Sequence, residues 1–424
     1  MPSYRIQGAK PLVGRIRVQG SKNAAFPVLA ATLLTKSACR ITNLPRISDV
    51  RRMLEIMAGV GAKVRWLTED AVEVEAKSVD PAGLRAELVG RLRGSIVIAG
   101  ALLARCGNVR MPYPGGDLIG PRPVHVHLDA FQALGARVSE GSEMKISSKS
   151  RLSGGRVVLT ETSVTGTENA LLAAALADGS SEIRLAAMEP HVQALCGVLG
   201  QMGVKLEGVG TPFIRLRPAR SLRGFRCRLE PDELEVSAFA VLAAATRSSV
   251  TVGPILDERL DSVLAALRAM DVRYRVESGK KESVLRILTH RGPYRAVKLQ
   301  VGLYPKLGSD HLPPFAVLAT QADGATLLHE WMYEGRLRYI EELQRLGANA
   351  TVLDPHRAMV VGPTALTGRE ITSFDIRSGM VLVIAALVAQ GQSIIKDIEH
   401  LDRGYERLEE RLQAVGADIQ RLEV

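Results

Sequence analysis

Val415-Gly416-Ala417-Asp418-Ile419 is one of six versions of a phrase, an apolar residue followed by Gly-Ala-x-Val or a close variant, that recurs along a chain of 424 residues. The others are Val60-Gly61-Ala62-Lys63-Val64, Leu134-Gly135-Ala136-Arg137-Val138, Met202-Gly203-Val204-Lys205-Leu206, Met270-Asp271-Val272-Arg273-Tyr274 and Leu346-Gly347-Ala348-Asn349-Ala350. They lie roughly 70 residues apart, the mark of a repeated supersecondary unit. Each follows an amphipathic helix, such as 407–415, and precedes an alternating strand. The glycine therefore reads as a helix stop in the left-handed region, and Asp271 can tolerate the same backbone.

A second element recurs with the same period: a nearly all-apolar helix, expected at 23–34, 94–105, 169–178, 236–246, 312–323 and 379–390. A helix that is apolar on every side must be buried centrally. One unit holding one such helix, one amphipathic helix and several short strands cannot cover it alone. Three units around three buried helices close a domain, so six units predict an α/β chain of two domains. Domains of about 200 residues each also satisfy the length prior.

Composition narrows the function. Apolar residues at 46% and charged residues at 24% describe an ordinary globular chain. Aromatic residues are only 4%, which argues against base stacking on exposed rings and leaves a core of Leu, Val, Ile and Ala. Lys plus Arg is 55 against 45 Asp plus Glu, a net charge of +10 that favours anionic partners. No run of five basic residues occurs, so a pocket focused on a small anion is favoured over nucleic acid. No apolar stretch reaches a membrane span, and residues 1–8 lack the apolar core of a secretory signal, so the chain is expected in the cytoplasm without a membrane partner. Cys39, Cys106, Cys196 and Cys227 lie far apart beside apolar segments, which predicts inert thiols; no metal or cofactor is expected.

Three motifs suggest anion chemistry. Gln19-Gly20-Ser21-Lys22-Asn23-Ala24-Ala25 offers a helix cap in Ser21 and a cation in Lys22 beside a helix N-terminus. In 113–127, Gly115, Gly116 and Gly120 flank Asp117 and permit a mobile lid, while Arg122 is held between two prolines. In His400-Leu401-Asp402-Arg403-Gly404-Tyr405-Glu406, Asp402 is expected to cap the last amphipathic helix, with Arg403 beside its positive end. Arg336 and Arg377 also enter helices. Together these arginines form a constellation for a ligand with two anionic groups.

The Ser-Lys-Asn-Ala-Ala start, the Pro-Gly-Gly-x-x-Ile-Gly-x-Arg-Pro-x-x-x-His loop and the Asp-Arg-Gly-Tyr-Glu end resemble the UDP-N-acetylglucosamine 1-carboxyvinyltransferases, the enolpyruvyl transferase family of peptidoglycan synthesis. The resemblance runs nearly end to end. The sister enolpyruvylshikimate phosphate synthases carry Ser-Lys-Ser at the start and lack Asp-Arg-Gly-Tyr. The resemblance implies two inside-out α/β barrels of three repeats each, closing on a cleft. One would be discontinuous, 1–20 plus 230–424; the other, 21–229, would carry the lid 113–123.

It also implies a reaction between phosphoenolpyruvate and the sugar 3-hydroxyl of UDP-N-acetylglucosamine. Lys22, Arg122 and Arg403 would hold the phosphate, Arg336 and Arg377 the carboxylate. Asn23 would meet the acetamido sugar and Arg93 the diphosphate. The segments Arg122, Pro123, Val124, His125, Val126 and Ser163, Val164, Thr165 would line the uridine end, with Met332 in the same binding set. Asp310 is the matched base, Asp375 neighbours the reacting carbon, and Asp117 is the acid candidate.

Four departures touch the acceptor side: Asp117 where most members have cysteine, His125 in place of a common aspartate, Glu161, and the 304–311 segment. They leave open another uridine nucleotide as acceptor. A non-catalytic nucleic-acid or phosphate-binding protein is the alternative of a different class. With Asp117 in place of the cysteine, the epoxide fosfomycin is expected to be ineffective, because a carboxylate is a weaker nucleophile than a thiolate.

Overall fold

The computed structural model describes residues 2–116, 119–120, 122–279 and 282–423. The chain divides into two compact units, one of Met1–Gln19 and Pro231–Val424, with Ile119 and Gly120 counted in it, the other of Gly20–Gly116 and Arg122–Glu230. Each unit has its own apolar core.

In the second unit the core is built on the helices Lys22–Thr32, Ile98–Cys106 and Val164–Ala174, which pack on one another. In the first, Glu233–Ala245, Leu312–Ala319 and Ile376–Val388 do the same. These helices are buried nearly all round, as their composition requires. Small residues let them approach closely: a Cβ on Gly100 would stand 2.5 Å from the carbonyl oxygen of Asn169 on the neighbouring helix.

Six sheets surround these helices among the described residues, three to a unit. Five share one design, a parallel pair extended by two antiparallel neighbours. Examples are Arg226–Arg228, Cys39–Thr42, Val72–Glu75 and Lys63–Trp66 in one unit and Val13–Arg17, Ser249–Ile255, Ser283–Ile287 and Tyr274–Ser278 in the other. The sixth has three antiparallel strands, Asn108–Met111, Met144–Ser147 and Arg137–Ser139. Strand burial alternates, as in Val72–Glu75, so one face covers the helices and the other meets solvent. Helices inside and sheets outside make each unit an inside-out α/β barrel.

The repeated phrase does what its spacing predicts. Gly61, Gly135, Gly203, Gly347 and Gly416 have φ of 102, 99, 113, 97 and 94°, and Asp271 takes the same turn at 64°. A left-handed residue there reverses the chain from the outer helix into an edge strand.

Three expected helices differ, and the one expected at 312–323 ends at Ala319, before the strand Ala322–His329. The element expected at 169–178 begins at Val164, because the Ser163 hydroxyl accepts from the Gly166 N–H at 3.2 Å and starts the helix a turn earlier. Thr167, Glu168 and Asn169 in its first turns are polar yet buried, which apolar patterning does not detect. The element expected at 94–105 is a tighter 3₁₀ turn, Arg93–Val97, that leads into Ile98–Cys106.

The strand Ser3–Gln7 lies between Gln392–Lys396 and Asp418–Leu422, antiparallel to both. It fills the position that a local strand fills in the other repeats. Gly8 follows, with its N–H donating to the Gly391 carbonyl at 3.1 Å. A Cβ on Gly8 would come within 2.1 Å of the Ala389 carbonyl oxygen and 2.2 Å of that of Ala386, both backbone atoms that cannot yield. Gly8→Ala is therefore expected to destabilise by about 2–3 kcal/mol. Gly141→Ala, with nothing within 4 Å of its Cβ, should stay within about 0.5 kcal/mol. Urea unfolding of both variants measures the difference.

Candidate active site

In the second unit, Ser21 caps the helix Lys22–Thr32 by accepting from the Ala24 N–H at 3.3 Å. Lys22 is not solvated: its side chain is buried and its Nζ lies 2.7 Å from Asp49 Oδ2. Arg52 approaches the other Asp49 oxygen at 3.3 Å. A buried ammonium needs such a partner. Asp49 comes from the next helix, Ser48–Gly59, and no motif marked it.

The lid flanks are held by glycine backbone turns and by the Arg93 side chain. Gly116 and Gly120 have φ of 127 and 123°, values that favour glycine. Arg93 donates to the main-chain oxygen of Arg122, and to that of Pro123 at 3.2 Å. The expected diphosphate ligand Arg93 thus stands beside the segment expected to line the uridine end. Asp117, the expected acid, lies outside the described residues. Val124 caps and His125 opens the helix His125–Ala133, with His125 exposed and Val126 buried. Ser163 caps Val164–Ala174 and Thr165 stands in its first turn. Asn23 is partly exposed and Glu161 exposed.

In the first unit, Asp310 is gripped by two arginines. Arg336 Nη2 lies 2.7 Å from Oδ1 and Arg377 Nε 3.2 Å from Oδ2. Burial alone would raise the Asp310 carboxyl, but Arg377 and then Arg336 overcome it and hold the group well below the usual carboxylate range. As it stands, Asp310 is a poor base. Arg377 also faces the Tyr405 hydroxyl at 3.4 Å, and the Tyr405 ring meets Phe239 edge-on. Neighbouring His311 is pushed down to about 4, chiefly by burial, against the pull of Asp310, and stays neutral.

Asp375 is a structural cap. Its Oδ1 accepts from the Arg377 N–H at 2.8 Å and the Ser378 N–H at 3.0 Å, while the Ser378 hydroxyl returns a contact to the Asp375 N–H at 3.0 Å. This capping box aims Arg377 from the first turn of Ile376–Val388. Met332 is half-buried; its N–H donates to Glu330 Oε1 at 3.0 Å, and Glu330 takes the Ser309 hydroxyl at 2.6 Å.

The expected role of Asp402 is corrected. It does not cap the last amphipathic helix: it closes the short helix Glu399–Asp402, and its carboxylate binds Arg421, with Nη1 3.0 Å from Oδ1. Arg403 follows as the C-cap of that helix, a favourable place for a cation, not its positive end. Arg421 is drawn in from the strand Asp418–Leu422 and shares its charge with Glu409, which accepts from the Tyr4 hydroxyl at 2.7 Å. Sequence distance hid this network, since Tyr4 and Arg421 are far apart along the chain. The four cysteines are free; burial pushes the Cys39 thiol up to about 11 and Cys196 to about 12. Among the described residues, no helix is long and apolar enough to cross a membrane.

A family model described as EPSP synthase (3-phosphoshikimate 1-carboxyvinyltransferase) matches residues 6–412. The chain is 40% identical over 423 residues to a UDP-N-acetylglucosamine 1-carboxyvinyltransferase of Bradyrhizobium diazoefficiens, covering 99% of this chain and 98% of that one. It is 38% identical over 446 residues to one of Porphyromonas gingivalis, with 100% of each covered. Among solved structures, the enolpyruvyl transferase NikO from Streptomyces tendae aligns with a TM-score of 0.89 at 27% identity, over 100% of this chain and 99% of that one. An EPSP synthase from Acinetobacter baumannii, at 18% identity and a TM-score of 0.76 over 100% of each chain, shares the fold.

Glu168, three residues beyond Thr165, is fully buried, and its Oε1 has no hydrogen-bond partner among the described residues. Burial, and then the charge of Glu189, hold its carboxyl well above the usual carboxylate range. The native state thus keeps a proton that the unfolded state releases. Stability from this group is full below the unfolded value of about 4.3 and falls as pH rises toward the native one. Glu168→Gln should therefore stabilise by about 1–2 kcal/mol at pH 8 and by less at pH 5, as read from urea unfolding at both.

Proposed function

We propose, because the chain belongs to the EPSP synthase family and to its UDP-N-acetylglucosamine 1-carboxyvinyltransferases, that it transfers the enolpyruvyl group of phosphoenolpyruvate to the 3-hydroxyl of UDP-N-acetylglucosamine with release of phosphate. The chain is an enolpyruvyl transferase by its relatives. This is a committed step toward peptidoglycan, which places the protein in cell-wall synthesis and in the cytoplasm, where both substrates arise. The observation that carries the residue assignment is the Asp310–Arg336–Arg377 cluster, a carboxylate held where a substrate carboxylate would sit.

In the reaction the 3-hydroxyl oxygen bonds to C2 of phosphoenolpyruvate, loses its proton to a base, and C3 gains one from an acid. The C2–O bond to phosphate then breaks and C3 gives up a proton to restore the vinyl group. Lys22, Arg122 and Arg403 serve the phosphate. Their positive charge offsets what develops on the leaving group. Arg336 and Arg377 serve the donor carboxylate. Asp310 is the base. In the free protein its two arginines suppress its basicity. A donor carboxylate competes for the same guanidinium groups, which removes the charges that stabilise ionised Asp310 and raises its pKa. The base is thereby activated only when the donor is present.

Arg93 and the residues Arg122–Val126, Ser163–Thr165, Asn23 and Met332 hold the nucleotide sugar. Asp375 acts through Arg377 as its positioning cap. Phosphate release measured with phosphoenolpyruvate should require UDP-N-acetylglucosamine and should not occur with shikimate 3-phosphate; the reverse preference overturns the reading.

Asp117 is the proton donor to C3, with bound phosphoenolpyruvate offsetting the cations that would keep it ionised. Without a thiolate at this position the enzyme is insensitive to fosfomycin. Asp117→Cys should stay active and lose activity with time in the epoxide, whereas the wild-type protein should not. Time-dependent inactivation of the wild type would remove Asp117 from this role.

A further inference from the structure

His127 is almost fully buried on the helix His125–Ala133, next to Asn169 on Val164–Ala174. The Asn169 amide has no freedom of assignment. Its Oδ1 accepts from the Gly100 N–H at 2.8 Å, and its Nδ2 donates to the Ile96 carbonyl at 2.9 Å. Backbone groups cannot exchange donor for acceptor, so the amide orientation is set. The second hydrogen of Asn169 Nδ2 points at His127 Nδ1, 2.9 Å away. His127 Nδ1 must therefore accept, and in a neutral ring the proton sits on Nε2. Nε2 faces the Thr165 hydroxyl at 3.4 Å. A second proton on the ring would set an N–H against the Asn169 amide hydrogen. The site resists it: burial first, then Arg93 and His125, push the His127 pKa down to about 3.

With a nitrogen donor on one side, the Thr165 oxygen is used as an acceptor and its own hydrogen is turned elsewhere. Thr165 lies in the first helical turn after Ser163. We propose that the chain Ile96/Gly100–Asn169–His127–Thr165 is a positioning relay, in which neutral His127 forces the Thr165 hydroxyl to act as a hydrogen-bond donor to an acceptor oxygen of the uridine nucleotide. This rests on the reading that Ser163–Thr165 faces that nucleotide. The relay adds a specificity-determining donor and makes His127 a positioning residue that never touches substrate.

Two measurements on the full-length protein test it. Nitrogen-15 NMR of histidine-labelled protein, with His127 assigned by the signal lost in His127→Gln, should show a neutral ring protonated on Nε2 at pH 7. A ring protonated on Nδ1, or doubly protonated, overturns the relay whether or not the enzyme is active. In kinetics, Thr165→Val should raise KM for UDP-N-acetylglucosamine about tenfold with a smaller effect on kcat, the loss of one hydrogen bond. His127→Gln, which can keep a donor at the Nε2 position, should stay within about threefold of wild type in that KM. His127→Met should raise it as Thr165→Val does and add nothing in a Thr165→Val background. An unchanged KM in Thr165→Val, or additive effects in the double variant, overturns the relay. Wild-type protein inactive with UDP-N-acetylglucosamine but showing the Nε2–H ring would instead remove the nucleotide reading.

Discussion

A helix with no polar face has to be covered on every side, and no single unit of this chain can do so. That constraint sets the architecture. Each unit brings three such helices together and shields them with three sheets whose inner faces alternate apolar with the outward polar residues. Helices this central leave little tolerance in volume, so glycines such as Gly100 and Gly8 sit where a Cβ would strike backbone. The first strand, Ser3–Gln7, completes a sheet made otherwise of the last strands, which ties the two ends of the chain into one core.

Charge is the second constraint. The first unit keeps Arg411 against Glu235, Arg421 against Asp402, and Arg336 and Arg377 against Asp310; the second keeps Lys22 against Asp49. A buried cation left alone would cost several kcal/mol. Resident carboxylates keep the cations charged and aimed. Asp310 shows the same logic, since the contacts that orient it also suppress its basicity.

The sequence already contained the repeat. Six helix stops at near-constant spacing, with glycine or Asp271 at each, are local features, and local backbone preference is enough to set them. Six apolar helices and the two-unit count followed from the same regularity, while Ser21 as a cap and Arg336 and Arg377 at helix entrances followed from local motifs. These depend on residues within a few positions of one another. The helix starts at Val164, ahead of the apolar pattern, because Thr167, Glu168 and Asn169 are polar but buried, a burial created by neighbours in space.

What tertiary structure alone decided is the pairing of charges and the proton on His127. Asp49 reaches Lys22 from the following helix, Arg421 reaches Asp402 from an edge strand, and Asn169 meets His127 between helices. Each contact joins residues on different elements, and side-chain type and spacing carry no signal for it. Asp402 shows the difference: read locally it is a helix cap, but a bidentate arginine from an edge strand claims its carboxylate. Periodicity along the chain determines elements because helix and strand geometry is local; ionisation and tautomer depend on what stands 3 Å away across space, and that is fixed only when the elements pack.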